Sequence, residues 1–218
     1  MNAPASIAAV SGPLKRPRVA AAIIAAVILL ILMGLDTKVV VMGSAEDVQD
    51  DVFSPQKYGE AHFPDIRTFV EDKAVTADVL AAAIAQDKGA AGKEYGTPAG
   101  IGPIMPVSFT GVVGEEKAGI YSVNVPGLPD GVAVRVQTGP AINGTDLRDA
   151  TGEISFGQFT NQIEYQNAGA GINNAMKADV LADIDTDNLT GKTIEVTGVF
   201  KLINPKNWLV TPVRLSVQ

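Results

Sequence analysis

One uninterrupted apolar run near the N-terminus constrains this chain more than any other feature of its sequence. The run extends over residues 19–35 and contains no polar side chain. About seventeen apolar residues are at the short end of the length that crosses a bilayer as a helix. We therefore predict a transmembrane signal-anchor over residues 19–35, followed by a separately folded, water-exposed domain.

The charges on either side of the apolar run predict its orientation. Lys15, Arg16 and Arg18 precede the run, whereas all 24 acidic residues follow it. Basic residues stay on the cytoplasmic side of a membrane segment. The sequence thus predicts a single-pass protein of the bacterial inner membrane, with its N-terminus in the cytoplasm and its domain in the periplasm.

Two other interpretations of the apolar run remain open. A cleaved signal peptide would use the small residues Gly43, Ser44 and Ala45, although the run is longer than the usual apolar core of such peptides. A buried helix of a soluble domain is disfavoured by the basic flank. Whether the segment is cleaved does not change the predicted location, because either export route delivers the domain to the periplasm.

The rest of the chain divides by composition. Residues 1–18 are small, polar and proline-containing, which predicts a disordered cytoplasmic tail, and residues 36–52 form an acidic stalk. Residues 53–218 remain for the folded periplasmic domain. We expect a helical or loop-rich part over residues 53–106 and a β-barrel part over residues 107–218.

Composition excludes several classes of function. The chain has no cysteine, which excludes disulfides, thiolate catalysis and cysteine-ligated metals. Its net charge is −7, and the part after the apolar run is more acidic still because three basic residues precede the run. An acidic domain repels phosphate backbones, so no nucleic-acid partner is expected.

The first part of the domain contains one clear helix signal. Residues 77–88 follow Thr76 as a possible N-cap, share an apolar face and end at Gly89. Two shorter aromatic-containing pieces, residues 53–58 and 61–70, precede this helix. Glycine and proline recur over residues 89–106, which predicts a crossing loop or hinge.

Alternating apolar residues predict strands in the second part of the domain. The predicted strands cover residues 107–113, 119–125, 132–138, 193–202 and 209–217. Pro212 lies in the last strand and indicates an edge or a bulge there. Apolar residues at four-residue spacing predict a helix over residues 167–184.

The order of these elements predicts the fold class. Three strands, a helix and two further strands are the order of the five-stranded OB-type barrel, with the helix between strands three and four. We therefore predict a mainly β (α+β) domain with an OB-like barrel and N-terminal helices. Such a fold hosts many functions and does not by itself name a ligand.

Residues 139–165 are the candidate recognition segment, because polar side chains are dense there among Phe156 and Phe159. Arg148 can form a bidentate pair with a neighbouring carboxylate, and amides and carboxylates suit polar ligands. The alternative is that these groups satisfy backbone amides in a long crossing. The candidate ligand- or partner-binding residues are Arg148, Asp149, Asn161, Gln162, Glu164 and Tyr165.

Four stretches carry a resemblance to a known family. They are AAGKEYG at residues 90–96, GPAINGTDLRDA at 139–150, FGQFTNQIEYQNAGAGIN at 156–173 and GVFKLINPKNWLVTPVRLSV at 198–217. With them the chain resembles the bacterial family of predicted periplasmic lipoproteins, domain of unknown function 2291. Typical members carry a lipobox ending in Gly-Cys, whereas this chain has Gly34-Leu35, which excludes a lipidated cysteine.

The resemblance implies an accessory role in uptake. Members of the family resemble exported proteins encoded near sugar-type ABC transporters, which implies components of such a transporter as partners. The resemblance brings no catalytic residues with it.

Catalytic motifs are absent from the sequence. His62 is the single histidine and is expected to be structural, and no nucleophile elbow, P-loop or dinucleotide fingerprint occurs. Asp183, Asp185 and Asp187 alternate like a calcium loop but lack its glycine and glutamate. We predict no cofactor, no metal and no catalytic residue.

Three functional hypotheses follow. The first is a membrane-anchored periplasmic accessory protein that binds a protein partner and is not an enzyme. The second is a periplasmic protein that binds a small sugar-like ligand. The third is a hydrolase that uses the carboxylates of Asp149 and Glu164.

Overall fold

The computed structural model describes residues 17–36 and 53–218. The chain forms two units, Met1–Val52 and Phe53–Gln218, which are described separately. The predicted tail over residues 1–18 and the predicted stalk over residues 36–52 lie almost entirely outside the described residues.

The first unit contains helix α1, Pro17–Asp36, which is 20 residues long. Its large apolar side chains, from Val19 to Leu35, are exposed. Within the two described ranges, no helix combines the length and the hydropathy that a membrane crossing requires. The predicted transmembrane helix is therefore not supported by the structure.

The second unit begins with one long helix, α2, Pro55–Lys73, where the sequence predicted two short pieces. Ser54 caps α2 by accepting a hydrogen bond from the Lys57 amide, and Pro64 is accommodated inside the helix. The buried residues Gly59, Phe63, Ile66 and Val70 form one face. That face packs against a later helix, and this packing offsets the destabilising effect of the proline. The contact is between residues far apart in sequence, so the sequence near Pro64 does not predict it.

Two helices and a short strand follow α2. Strand β1, Val75–Thr76, was not predicted, and it pairs in parallel with Val107 and Ser108. Helix α3, Ala77–Gln86, confirms the predicted helix except for its last two residues, although the Thr76 side chain makes no capping bond.

Helix α4, Lys88–Tyr95, corrects the prediction of a loop over residues 89–106. A carboxylate oxygen of Asp87 accepts hydrogen bonds from the amides of Gly89, at 2.7 Å, and Ala90, at 3.0 Å. The side chain of Asp87 thus starts a new helix at the point where Gly89 was expected to end the previous one.

All five predicted strands are present, with somewhat different ends. They are β2 Ile104–Lys117, β3 Ile120–Asn124, β4 Ala133–Gln137, β5 Thr193–Lys201 and β6 Asn207–Val217. Pairing runs β2-β3-β4-β6-β5 and returns from β5 to β2, so these five strands pair in a closed order. Only β4 and β6 pair in parallel within this ring.

The predicted irregularity at Pro212 is a bulge. The register between β5 and β6 shifts between Thr197 and Gly198, and Gly198 pairs with Pro212. The extra residue reverses which side chains face inward, because side chains alternate along a strand. Trp208 is therefore buried before the bulge, whereas Leu209 is only half-buried.

Between β4 and β5 lie short helix α5, Asp146–Asp149, a 3-10 turn, Phe156–Gln158, and helix α6, Gln162–Met176. Helix α6 continues into a π-helical turn, Lys177–Leu181, and corresponds to the helix predicted over residues 167–184. It begins five residues earlier because the Asn161 side chain accepts a hydrogen bond from the Glu164 amide at 2.9 Å.

Candidate functional site

The centre of the candidate site is the ion pair between Arg148 and Asp149 on α5. Nε and Nη2 of Arg148 both contact Oδ1 of Asp149, at 2.8 Å and 2.7 Å. The other carboxylate oxygen accepts a hydrogen bond from the Thr145 hydroxyl at 2.8 Å. The predicted pair therefore forms, but it uses one carboxylate oxygen rather than the two of a fork-to-fork arrangement.

Tyr165 on α6 holds the same guanidinium from another side. The guanidinium carbon of Arg148 lies 3.7 Å from the centre of the Tyr165 ring, and Nη1 donates to the Tyr165 carbonyl at 3.1 Å. Arg148 is buried, and a cation over an aromatic face is attracted by the ring. The side chain of Arg148 therefore links α5 to α6 through non-covalent contacts.

Two further charged residues, Asp146 and Lys201, belong to the same network. Nζ of Lys201 lies 3.7 Å from Asp146 Oδ1 and 3.6 Å from Asp149 Oδ2. Both distances exceed hydrogen-bonding range, so the ammonium group can still donate to a ligand. Burial raises the pKa of the Asp146 carboxyl, the Lys201 ammonium opposes this change, and the nearby Asp149 carboxylate adds to it.

A groove of about 580 Å³ opens over this network. We call it the charged groove. It is lined by Pro98, Ala99, Gly100, Ile101, Thr145, Arg148, Asp149, Gly152, Ile154, Tyr165, Lys201 and Ile203. Ile101 is 92% exposed and Ile203 is 57% exposed, so apolar side chains flank a floor that carries Arg148, Asp149 and Lys201. The carboxylate of Asp146 does not line the groove, but it balances the second of these two cations from the network beneath.

The six predicted site residues are not all brought together. Arg148, Asp149 and Tyr165 line the charged groove, whereas Asn161, Gln162 and Glu164 do not. Asn161 caps α6, and Glu164 accepts a hydrogen bond from the Thr160 amide at 3.0 Å. These two bonds match the alternative in which such side chains satisfy backbone amides.

Aromatic side chains extend from Tyr165, at the charged groove, to helix α2. Tyr165 contacts Phe159, with ring centres 5.4 Å apart, and Phe159 contacts Tyr58 at the same distance. Tyr58 stacks on His62 at 3.9 Å, and the His62 ring nitrogen Nδ1 lies 2.8 Å from the Tyr58 carbonyl. Burial raises the pKa of the Tyr58 hydroxyl, with the Arg148 charge opposing the change.

Sequence reasoning missed Asp146, Lys201 and the three isoleucines of the charged groove. Asp146 stands within the candidate segment, but Lys201 ends β5, far away in sequence. Across the described ranges, no group of three or more histidine, aspartate and glutamate side chains is arranged to hold a metal. The arrangement is suited to binding through hydrogen bonds and apolar contacts.

Most of the chain matches one known protein family. Residues 25–216 match the family described as predicted periplasmic lipoprotein, DUF2291. The chain belongs to this DUF2291 family. The match confirms the resemblance found in the four sequence stretches, and this DUF2291 member differs from the lipoprotein description in having no cysteine.

A solved structure supports the fold of this DUF2291 member. An OB-fold protein from Thermotoga maritima MSB8 is similar over 77% of this chain and 100% of its own, with 17% sequence identity and a TM-score of 0.60. The likeness confirms the predicted OB-like fold and, at this identity, concerns the fold alone. No curated protein matches the chain.

Proposed function

We propose that this DUF2291 member is a non-catalytic accessory protein of the periplasm that binds a protein partner through the charged groove. The observation that carries the proposal is the exposure of Ile101, 92%, beside a polar floor. An exposed isoleucine is common by itself, but Ile101, Ile154 and Ile203 line one groove. Apolar groups around a concave polar site are typical of binding surfaces.

The floor of the charged groove supports binding because it is held in place before a partner arrives. Arg148 is fixed by Asp149, by the Tyr165 carbonyl and by the Tyr165 ring. A preorganised surface loses less conformational entropy on association. The Lys201 ammonium can donate to a carbonyl or carboxylate of a partner, because it lies 3.7 Å from Asp146 and 3.6 Å from Asp149.

The partner that we propose is a component of a sugar-type ABC transporter, either the permease or its binding protein. This part of the proposal comes from the family resemblance. In such a complex, an apolar side chain of the partner would lie between Ile101 and Ile203, and a polar acceptor beside it would meet Lys201.

We further propose that α1 attaches the protein to the inner membrane, with the N-terminus in the cytoplasm and the domain in the periplasm. Its exposed apolar side chains support attachment, and the basic residues before it support this orientation. After carbonate washing of membranes, the full chain is expected to stay in the pellet. Protease added to spheroplasts should digest the domain; release of the chain by carbonate would contradict attachment through α1.

Photo-crosslinking from defined positions tests partner binding. A benzoylphenylalanine introduced at Ile101 or Ile203 of the full chain, in intact cells, should crosslink to a transporter permease or binding protein. Val79 on α3 is the control position, because it is 47% exposed and does not line the charged groove. Crosslinks of equal yield from Val79, or none from either groove position, would contradict the proposal.

A small neutral ligand with several hydroxyl groups is the second candidate for the charged groove. The network under the groove, in which Asp146 and Asp149 balance Arg148 and Lys201, favours a neutral ligand with both donors and acceptors, and about 580 Å³ suits a small molecule. A thermal-shift panel of sugars on the full chain tests this candidate. A shift that disappears in Lys201→Met would support it, and no shift with any sugar would exclude it.

The hydrolase hypothesis finds less support in the geometry. Asp149 lies in the charged groove, whereas Glu164 lies outside it and binds the Thr160 amide. The pair of carboxylates that the hypothesis requires is therefore not assembled in this groove, which favours a binding role.

A further inference from the structure

A second groove, which has no part in the functions proposed above, lies between α2 and α6. It is formed by residues 56–64 of α2 and residues 171–179 of α6 and the turn that follows it, and its volume is about 580 Å³. We call it the helix groove. None of its lining residues belongs to the charged groove.

The floor of the helix groove is apolar. Phe63 is fully buried beneath it, and Pro64, Ala175 and Ala178 complete the apolar lining. This floor is open because the backbones of α2 and α6 approach closely at Gly59 and α6 carries small side chains beyond that point. A compact apolar group can be accommodated there, and its burial is favourable.

The polar groups at the rim are rich in hydrogen-bond acceptors. Glu60 and Asp179 supply carboxylates, and Gln56 and Asn174 supply amide oxygens. In a regular helix the amide of residue 64 would donate a hydrogen bond to the carbonyl of Glu60. Pro64 has no amide hydrogen, so it cannot donate this bond. An acceptor-rich rim favours a ligand with several N–H donors.

The charges of the helix groove do not cancel. Asp179 is paired with Arg67 at 2.7 Å, and Nε of Arg67 is in turn held by the Val213 carbonyl at 3.0 Å. Glu60 accepts a hydrogen bond from the Gln56 amide at 2.8 Å but has no cationic partner within the part of the chain that the structure describes. Glu60 is exposed at the rim, so its carboxylate is available to pair with a cationic ligand.

From these observations we infer that the helix groove binds a small molecule that carries one primary ammonium group on a compact apolar body. The ammonium group lies at Glu60 and donates to the carboxylate and the nearby amide oxygens. The apolar body lies on Phe63, Pro64 and Ala175. The site is independent of the partner proposed for the charged groove.

Cyclohexylmethylamine is a suitable probe of this site. It is titrated into the full chain in detergent, with the alanine methyl groups labelled for NMR, so that the readout is local to the groove. The methyl signals of Ala175 and Ala178 are expected to shift and saturate, whereas that of Ala133 on β4 is expected to stay unchanged. Cyclohexylmethanol and cyclohexanecarboxylate, which lack the cation, should bind at least about threefold more weakly.

Three variants test the assignment. Glu60→Gln should raise the dissociation constant of the amine about threefold, the range of an exposed ion pair, and added salt should have a smaller effect on this variant than on the wild type. Glu71→Gln is the matched control, because Glu71 is exposed on the same helix and does not line the groove. Ala178→Trp should fill the exposed side of the groove and abolish the shift at Ala175.

The inference would be overturned by any of three results. These are equal affinity for the amine and the alcohol, equal effects of Glu60→Gln and Glu71→Gln, or an unchanged Ala175 shift in a folded Ala178→Trp variant. Crosslinking from Ile101 is unaffected by each of these outcomes, so failure here is distinguishable from failure of the proposed partner binding.

Discussion

The guanidinium group of Arg148 lies over the ring of Tyr165, with 3.7 Å between the guanidinium carbon and the ring centre. The same group is paired with Asp149 at 2.7 Å. One buried side chain thus connects α5 to α6 and forms part of the floor of the charged groove. Stability and binding are therefore coupled at this residue.

Replacement of Arg148 by alanine is expected to lower the free energy of unfolding by about 3 kcal/mol, because the Asp149 carboxylate, which is only 15% exposed, loses its closest cation. Arg148→Lys should recover only part of this loss, since lysine lacks the planar fork of donors. Urea denaturation measures both values. Arg214→Ala, at an exposed position on β6, is the control and should change stability by less than about 0.5 kcal/mol.

Replacement of Gly59 by alanine tests the crossing of α2 and α6. A Cβ atom at this position would overlap the carbonyl oxygen of Gly171, so the two helices must move apart. We expect a loss of about 1–3 kcal/mol in unfolding free energy. Gly157→Ala is the control, because a Cβ there meets nothing within 4 Å. Equal stability of the two variants would show that the helices are not in contact at Gly59.

The stability of the domain is expected to depend on pH through Asp146. Its carboxyl has a raised pKa in the folded state, so the folded protein holds this proton more tightly than the unfolded chain does. Stability from this group should therefore be greatest below the ordinary value of 3.8 and fall as pH rises through the folded-state pKa. In Asp146→Asn this decrease should be absent. Denaturation curves at several pH values, compared between the two proteins, measure the difference.

Variants of Asn161 separate its structural role from a role in recognition. Asn161→Ala removes the cap of α6 and should cost about 1 kcal/mol, whereas Asn161→Asp keeps a capping oxygen and should cost less. If capping is the whole role, both variants should still give the Ile101 crosslink. Loss of the crosslink in a stable Asn161→Asp variant would instead assign recognition to this side chain.

The strands could be predicted from the sequence because alternation of apolar residues is a local signal. Val107 and Phe109, or Val134 and Val136, face the core as their spacing indicates. Pro212 indicated an irregularity in β6 for an equally local reason, because proline has no amide hydrogen to donate to the neighbouring strand. The order of elements then restricted the possible topologies to an OB-like one.

Features that depend on distant contacts could not be predicted. Helix α2 runs through Pro64 because its buried face packs on α6, and nothing near Pro64 in sequence shows that contact. Lys201 joins Asp146 and Asp149 only after β5 is placed beside α5. In the candidate segment, the sequence identified Arg148, Asp149 and Tyr165, but composition cannot separate a capping Asn161 from a residue that lines a groove.

The close approach of α2 and α6 has a consequence for how this domain can evolve. A side chain at Gly59 would overlap Gly171, and one at Gly171 would overlap the carbonyl of Pro55. Neither position can therefore gain a larger residue while the other helix stays where it is. The two glycines are expected to be inherited as a unit, and relatives that lose one should show a different separation of these helices and a differently shaped helix groove.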